Sequence, residues 1–310
     1  MLDVCLAGTG GMVPLKDRWL TSFYMKSGPN AVLIDCGEGT QIALSRAGER
    51  LKPIDMICIT HFHADHIAGL PGLLLSMGNS GRTEPVTIVG PAGLYQVLQC
   101  LLVIAPALPF EIMVTELGGT ISQEFEAGRM KISSFPLKHM IPCYGYRVDI
   151  SRSGEFHPEK AAALNIPQKA WSLLQSGESI EIGSRIITPD QVMDPPRRGI
   201  RVTYATDTRP TDSIREFGRH SDLMVLEGIY EDNQKIEKAK EWGHMTFPEA
   251  AGLARDAEAD ELWLTHFSPS LPDPEHWIQN ASSIFPNTRC GRDGMKKTLN
   301  FRPGLAEDPR

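Results

Sequence analysis

Short apolar runs separated by glycines and polar turns fill the first half of the chain, and their lengths predict strands alternating with helices. Residues 2–7 read as a strand that stops at the turn Gly8-Thr9-Gly10-Gly11, and residues 22–26 and 31–35 read as two more. Residues 38–47 carry helical spacing and end near Gly48. The run 55–60, between Pro53 and a group of histidines, is apolar almost throughout, which suits a strand buried on both faces. Another strand is expected at 86–89 and a helix at 93–103. The second half repeats the mixture, with strands at 130–136, 144–150, 201–205, 223–227 and 261–265 and a helix at 248–258 that has Pro248 at or near its first position. This alternation predicts a layered α/β protein, with two βα halves facing each other.

Between residues 151 and 196 the pattern loosens. Gly154, Pro158, Pro167 and Gly177 interrupt it, and only 159–164 and 168–175 keep helical spacing. The stretch is expected to be an insertion projecting from the α/β core, with an ordinary long connection as the other reading.

Composition narrows the class. Of 310 residues, 41% are hydrophobic and 22% charged, a balance foreign to disordered chains. No apolar run approaches the ~20 residues of a membrane span. With 31 basic against 38 acidic residues the formal charge is −7, which excludes a protein that coats nucleic acid through a broad basic face. It leaves room for a nucleic-acid enzyme with local basic contacts. The six cysteines form no C-x-x-C pair, and several lie in apolar runs such as Met56-Ile57-Cys58-Ile59, as buried reduced thiols do. The N-terminus shows no basic leader or cleavage site. A soluble, cytoplasmic protein is expected.

The strongest chemical signal follows the apolar run 55–60: Thr60-His61-Phe62-His63-Ala64-Asp65-His66. Three imidazoles and a carboxylate lie within six residues of a chain that has nine histidines in all. At a strand end the backbone can turn, so such neighbours converge, and their donor types suit Zn²⁺ or Mn²⁺ near neutral pH. His61/His63 and Asp65/His66 begin two adjacent metal sites. His139, Asp207 and His266 each follow a predicted strand. Singly, each is more often a satisfied turn residue; together they share the placement of an active site built at the carboxyl ends of strands.

His-x-His-x-Asp-His with a later His, a later Asp and a final Thr-His resembles the metallo-β-lactamase superfamily of dinuclear hydrolases. Further stretches narrow the resemblance to the ribonuclease Z family: Pro14, Lys16 and Arg18 after the glycine turn; Asp35-Cys36-Gly37-Glu38-Gly39-Thr40-Gln41; Asp207-Thr208-Arg209-Pro210; Glu227; and His244-Met245-Thr246. The resemblance runs from residue 1 to about 270. Trp19 stands where the family's first loop has Asn, Met245 where it commonly has Ser, and Gly228 where Ala is usual.

This resemblance implies a four-layer αββα metallo-β-lactamase sandwich in one domain, residues 1–310, with a projecting arm at about 151–196. It implies two Zn²⁺ per subunit, with Mn²⁺ as the alternative. One ion would be held by His61, His63 and His139, the other by Asp65, His66 and His266, with Asp207 bridging. Asp65 would also orient the attacking water or take its proton. His244 would protonate the leaving 3′-oxygen, Glu227 would hold its ring, and Lys16 and Arg18 would meet phosphates. The implied activity is endonucleolytic removal of the 3′ trailer from precursor tRNA, leaving a 3′-hydroxyl. The implied assembly is a homodimer in which one subunit's arm holds RNA cut in the other. The alternative is a phosphodiesterase or ester hydrolase of the same fold acting on a small molecule.

Overall fold

The computed structural model describes residues 1–302 apart from Thr120 and Ser184. Its chain divides into two compact units, Met1–Asp149 with Arg201–Leu299, and Ile150–Ile200 with Asn300 onward. Among the described residues, two seven-stranded sheets organise the architecture. In one the strands lie in the order β16 (Met295–Leu299), β1 (Leu2–Gly8), β2 (Ser22–Ser27), β3 (Asn30–Ile34), β4 (Ile54–Cys58), β5 (Val86–Pro91), β6 (Ile112–Leu117). It is antiparallel from β16 to β3 and parallel from β3 to β6. In the other the order is β15 (Thr288–Cys290), β14 (Leu262–Thr265), β13 (Leu223–Glu227), β12 (Arg197–Ala205), β9 (Tyr144–Arg152), β8 (Met130–Pro136), β7 (Glu124–Ala127). Here β12 to β15 are parallel, and β7 to β9 antiparallel.

The two sheets face each other. Phe23 of β2 stacks on Tyr204 of β12 with ring centroids 5.6 Å apart, and the Tyr146 hydroxyl of β9 donates to the Ile59 carbonyl just past β4 at 2.7 Å. Helices cover the outer faces. Thr40–Arg46, Leu70–Asn79 and Leu94–Leu101 share an apolar cluster with β3 to β5, built around Leu33, Ile57, Leu73 and Leu98. Asp212–Gly218 and Phe247–Asp256 share another with β13 and β14, built around Ile214, Leu226, Ala250 and Leu264. The result is an αββα sandwich, whose strands are apolar on both faces because one side meets a helix and the other a sheet.

The second unit has a core of its own. Ala161, Ile166, Leu174, Ile180, Ile187 and Val192 are buried together, and the Trp171 indole donates to the Ile166 carbonyl at 3.1 Å. The expected insertion at 151–196 falls within this unit. Besides the two short helices anticipated there, it contains a hairpin, β10 (Ile180–Ile182) and β11 (Arg185–Ile187). Three-residue strands are too short to show a period in sequence. None of the described helices is long and apolar enough to cross a membrane.

Candidate metal centre

The residues singled out by sequence come from the ends of strands in both sheets. His61, His63, Asp65 and His66 follow β4, His139 follows β8, Asp207 follows β12 and His266 follows β14. Convergence depends on an unusual backbone: Asp207 and His266 both lie in the left-handed region at φ 56°, and Asp35, which follows β3, lies there at φ 61°. Non-glycine residues adopt this conformation at a cost of about 1–3 kcal/mol and keep it where the surroundings fix it. Each strand thus turns off its sheet at the residue that must face the centre. Gly11 makes room on the opposite wall, where a Cβ would lie 2.5 Å from His266 Cε1.

Two donor clusters result. In the first, His61 Nε2 lies 2.9 Å from His63 Nδ1 and 3.7 Å from Asp207 Oδ2, and His139 Nε2 lies 3.4 Å from His63 Nδ1 and 3.9 Å from Asp207 Oδ2. In the second, His66 Nε2 lies 3.1 Å from His266 Nε2 and 3.2 Å from Asp207 Oδ1, while Asp65 Oδ2 lies 3.3 Å from His266 Nε2. Asp207 therefore turns one oxygen to each cluster. His61, Asp65, His66, Asp207 and His266 are buried, His139 is half-buried and His63 is exposed.

A divalent cation fits this set. Asp207 Oδ1 is buried and has no hydrogen-bond partner, and facing ring nitrogens about 3 Å apart are where neutral imidazoles share a cation or a proton. Burial pushes the pKa of His61, and also that of His139, below the ordinary imidazole value. For Asp207, burial opposes ionisation, but the imidazoles of His266, His66 and His61 outweigh it and hold the carboxyl well below the usual carboxylate range. The Asp65 carboxyl is likewise held low, because its bond to His266 and the nearby His66 outweigh burial. The ionised carboxylates of Asp65 and Asp207, together with His61 and His139, which resist protonation, are ready metal donors.

Two groups of neighbours hold these ligands. Asp35, fully buried, accepts from the Thr60 amide at 2.9 Å and from His66 Nδ1 at 2.8 Å, while the Tyr204 hydroxyl reaches it at 3.3 Å. That bond leaves His66 Nε2 free to face the cluster. The Met12 amide donates to Asp65 Oδ2 at 2.6 Å. Asp35 opens the motif Asp35-Cys36-Gly37-Glu38-Gly39-Thr40-Gln41, but only its place as a carboxylate ending the strand beside β4 signals this duty.

His244 and Glu227 also arrive at the centre. His244 Nδ1 meets Glu227 Oε2 at 3.1 Å, and the His244 ring lies 5.2 Å from that of His139 and 5.9 Å from that of His266. Burial works against a charge on His244, but Glu227 outweighs it and the pKa is pushed up to about 9. Lys16 and Arg18 lie on the loop between β1 and β2. Lys16 is exposed and lines a cavity of about 490 Å³ with Trp19, Arg46 and Asp293. The Arg18 guanidinium donates to the Leu271 carbonyl at 3.0 Å and the Pro272 carbonyl at 2.9 Å, and lies over the Phe267 ring. It ties the loop after β1 to the loop after β14.

Known proteins resemble the chain at both levels. A family model described as "Beta-lactamase superfamily domain" matches residues 191–267, and one described as "Anti-Pycsar protein Apyc1" matches residues 2–105. A relative named Ribonuclease Z from Agathobacter rectalis is 52% identical over 301 residues, covering 97% of this chain and 99% of its own. Another of that name, from Lachnoclostridium phytofermentans, is 50% identical over 302 residues with the same coverage. Among solved structures, the short form of human tRNase Z matches with a TM-score of 0.70 at 24% identity, covering 96% of this chain and 100% of that one. The metallo-β-lactamase fold protein YhfI from Bacillus subtilis matches with a TM-score of 0.69 at 20% identity, again over 96% and 100%. These two structural likenesses speak for the fold.

Proposed function

The chain belongs to the ribonuclease Z family, and on that premise we propose how its site carries out the family's reaction. The protein is a metal-dependent endoribonuclease that removes the 3′ trailer from precursor tRNA and leaves a 3′-hydroxyl on the tRNA. The observation that carries the reading is Asp207, with one oxygen toward His61 and His139 and the other toward His66 and His266. Two Zn²⁺ per subunit are the proposed ions, with Mn²⁺ as the alternative; imidazole and carboxylate donors support either. One is assigned to His61, His63 and His139, the other to Asp65, His66 and His266, and Asp207 is shared.

When bound, the ions supply Lewis acidity at the phosphoryl oxygens and a water acidic enough to attack near neutral pH. The chain's own residues complete the step. As the water oxygen bonds to phosphorus and the bond from phosphorus to the 3′-oxygen breaks, Asp65 orients the water or takes its proton, its carboxylate aimed by the Met12 amide. His244 gives a proton to the leaving 3′-oxygen. Glu227 holds His244 by Nδ1, which leaves Nε2 as the delivering atom. Lys16, exposed beside Trp19, meets a phosphate; Arg18 serves the substrate through the loop it anchors. A homodimer in a cytoplasmic setting belongs to the same reading. The family resemblance supports the first, and the six unpaired cysteines, five of them buried, support the second.

The test is cleavage of a precursor tRNA with mapped product ends and measured metal content. The expected product is tRNA with a 3′-hydroxyl, and His61→Ala or Asp207→Ala should reduce kcat by about a thousandfold or more. Retained activity in either variant would overturn the site. Turnover of a small aryl phosphodiester without RNA cleavage at any salt would turn the substrate reading to the small-molecule alternative.

A further inference from the structure

Arg209, in the stretch Asp207-Thr208-Arg209-Pro210, directs its guanidinium into the loop that carries His244. Its side chain is 13% exposed. Nη1 donates to the His244 carbonyl and, at 3.0 Å, to Glu249 Oε2, while Nη2 donates to Glu249 Oε1. This is a two-pronged pair with a carboxylate plus a third bond to the main chain of one residue, an arrangement that only a planar guanidinium supplies. Glu249 is itself fixed. Its Oε2 accepts from the Thr246 amide at 3.0 Å, and its own amide donates to Thr246 Oγ1 at 3.3 Å, which closes a capping box at the start of the helix Phe247–Asp256.

The loop is held from its other side as well. The His244 amide donates to the Ala239 carbonyl at 2.8 Å, and His139 Nδ1 lies 3.2 Å from the Gly243 carbonyl. Gly243 sits at φ 73°, and a Cβ there would lie 2.9 Å from His139 Nδ1, so the loop passes as close to the metal ligand as a backbone can. Glu227 joins the two loops, with Oε1 on the Thr208 amide at 2.6 Å and Oε2 on His244 Nδ1. Ring and main chain of His244 are thus fixed by separate devices, Glu227 for the ring and Arg209 with Glu249 for the carbonyl.

We infer that Arg209 and Glu249 are positioning residues for proton delivery, clamping the His244 main chain so that its imidazole meets the leaving 3′-oxygen. The inference rests on His244 being the proton donor. The clamp touches neither substrate nor proposed metal ligand through a side chain, so losing it displaces the donor and leaves the rest of the centre in place. A misplacement of about 1 Å is enough to cost roughly a hundredfold in rate.

The test compares two precursor tRNAs, one natural and one with sulfur in place of the bridging 3′-oxygen at the scissile bond. A 3′-thiolate leaves without needing a proton. Arg209→Gln and Glu249→Gln should each lower kcat on the natural substrate by about 10- to 100-fold, with KM and metal content per subunit nearly unchanged. On the sulfur substrate both should come within about threefold of the parent. Should Arg209→Gln fail to fold, Glu249→Gln, which keeps the side-chain shape, carries the test. Equal losses on the two substrates, or no loss on either, would overturn the positioning role. His244→Ala reports on the underlying reading separately: a loss as large with sulfur as with oxygen would show that His244 is not the donor, and the inference would fall with it.

Discussion

Asp35 decides which nitrogen His66 offers. With the carboxylate 2.8 Å from Nδ1, that nitrogen must carry the hydrogen, and Nε2 keeps its lone pair for the cluster. Asp35→Asn keeps the side chain's size. Its oxygen can stay on the Thr60 amide, but its NH₂ then meets the His66 Nδ1 hydrogen and the Tyr204 hydroxyl. His66 is then driven to the other tautomer, with a hydrogen on the nitrogen that should bind metal. The expected outcome is a loss of about 10- to 100-fold in metal affinity, measured by competition with a chelator of known strength. The sequence shows why His66 was legible and Asp35's duty was not. His66 stands among four donor-type side chains in six residues, whereas Asp35 acts on a partner 31 positions away through a left-handed turn that no periodicity reveals.

The same contrast holds for elements. Central strands such as β4 and β13 were plain, because a strand covered on both faces needs a continuous apolar run. The edges were not. β16 reads Met295-Lys296-Lys297-Thr298-Leu299, with lysines where a central strand would be apolar, and β7 at the edge of the other sheet alternates exposed glutamates with Phe125 and Ala127. Charged edges discourage pairing with other chains and for that reason hide from an apolar-run search. Helix ends were read more closely, since capping is local chemistry. The helix predicted at 248–258 spans Phe247–Asp256, with Thr246 as its N-cap and Pro248 within its first two positions. Thr246 Oγ1 accepts from the Glu249 amide at 3.3 Å and donates to Asn233 Oδ1 at 2.7 Å. Thr246→Ala is therefore expected to lower the unfolding free energy by about 1–2 kcal/mol in urea titrations, and Thr246→Ser to restore most of it.

At the scale of the whole molecule, burial separates the thiols. It pushes Cys5 and Cys290 up to about 12 and raises Cys36, Cys58 and Cys143 as well, whereas Cys100 is exposed. Labelling the native protein with iodoacetamide near pH 8 should modify Cys100 alone, and mass mapping should find the other five only after unfolding. The second unit, too, is separable by its own packing. Its apolar cluster contains no side chain of the two clusters that hold the sandwich. The chain leaves and returns at one place: the Asp194 amide donates to the Glu155 carbonyl at 2.8 Å, the His157 amide to the Val192 carbonyl at 2.8 Å, and His157 Nε2 meets Asp194 Oδ1 at 2.8 Å. Replacing residues 156–193 with a short turn therefore removes a self-contained piece. If that piece is an arm that holds RNA at a distance from the cut, the shortened enzyme should melt within about 4 °C of the parent and keep its metals. It should hydrolyse a small aryl phosphodiester at close to the parent rate, because the chemical centre lies in the other unit. Cleavage of precursor tRNA should fall by about 30-fold or more in kcat/KM, since remote binding energy is lost, and its dependence on salt should flatten as phosphate contacts disappear. Equal losses on both substrates would assign the piece to folding, and unchanged tRNA cleavage would refute its role as an arm. With a formal charge of −7, the molecule is not expected to coat RNA non-specifically, which makes this comparison a sensitive one.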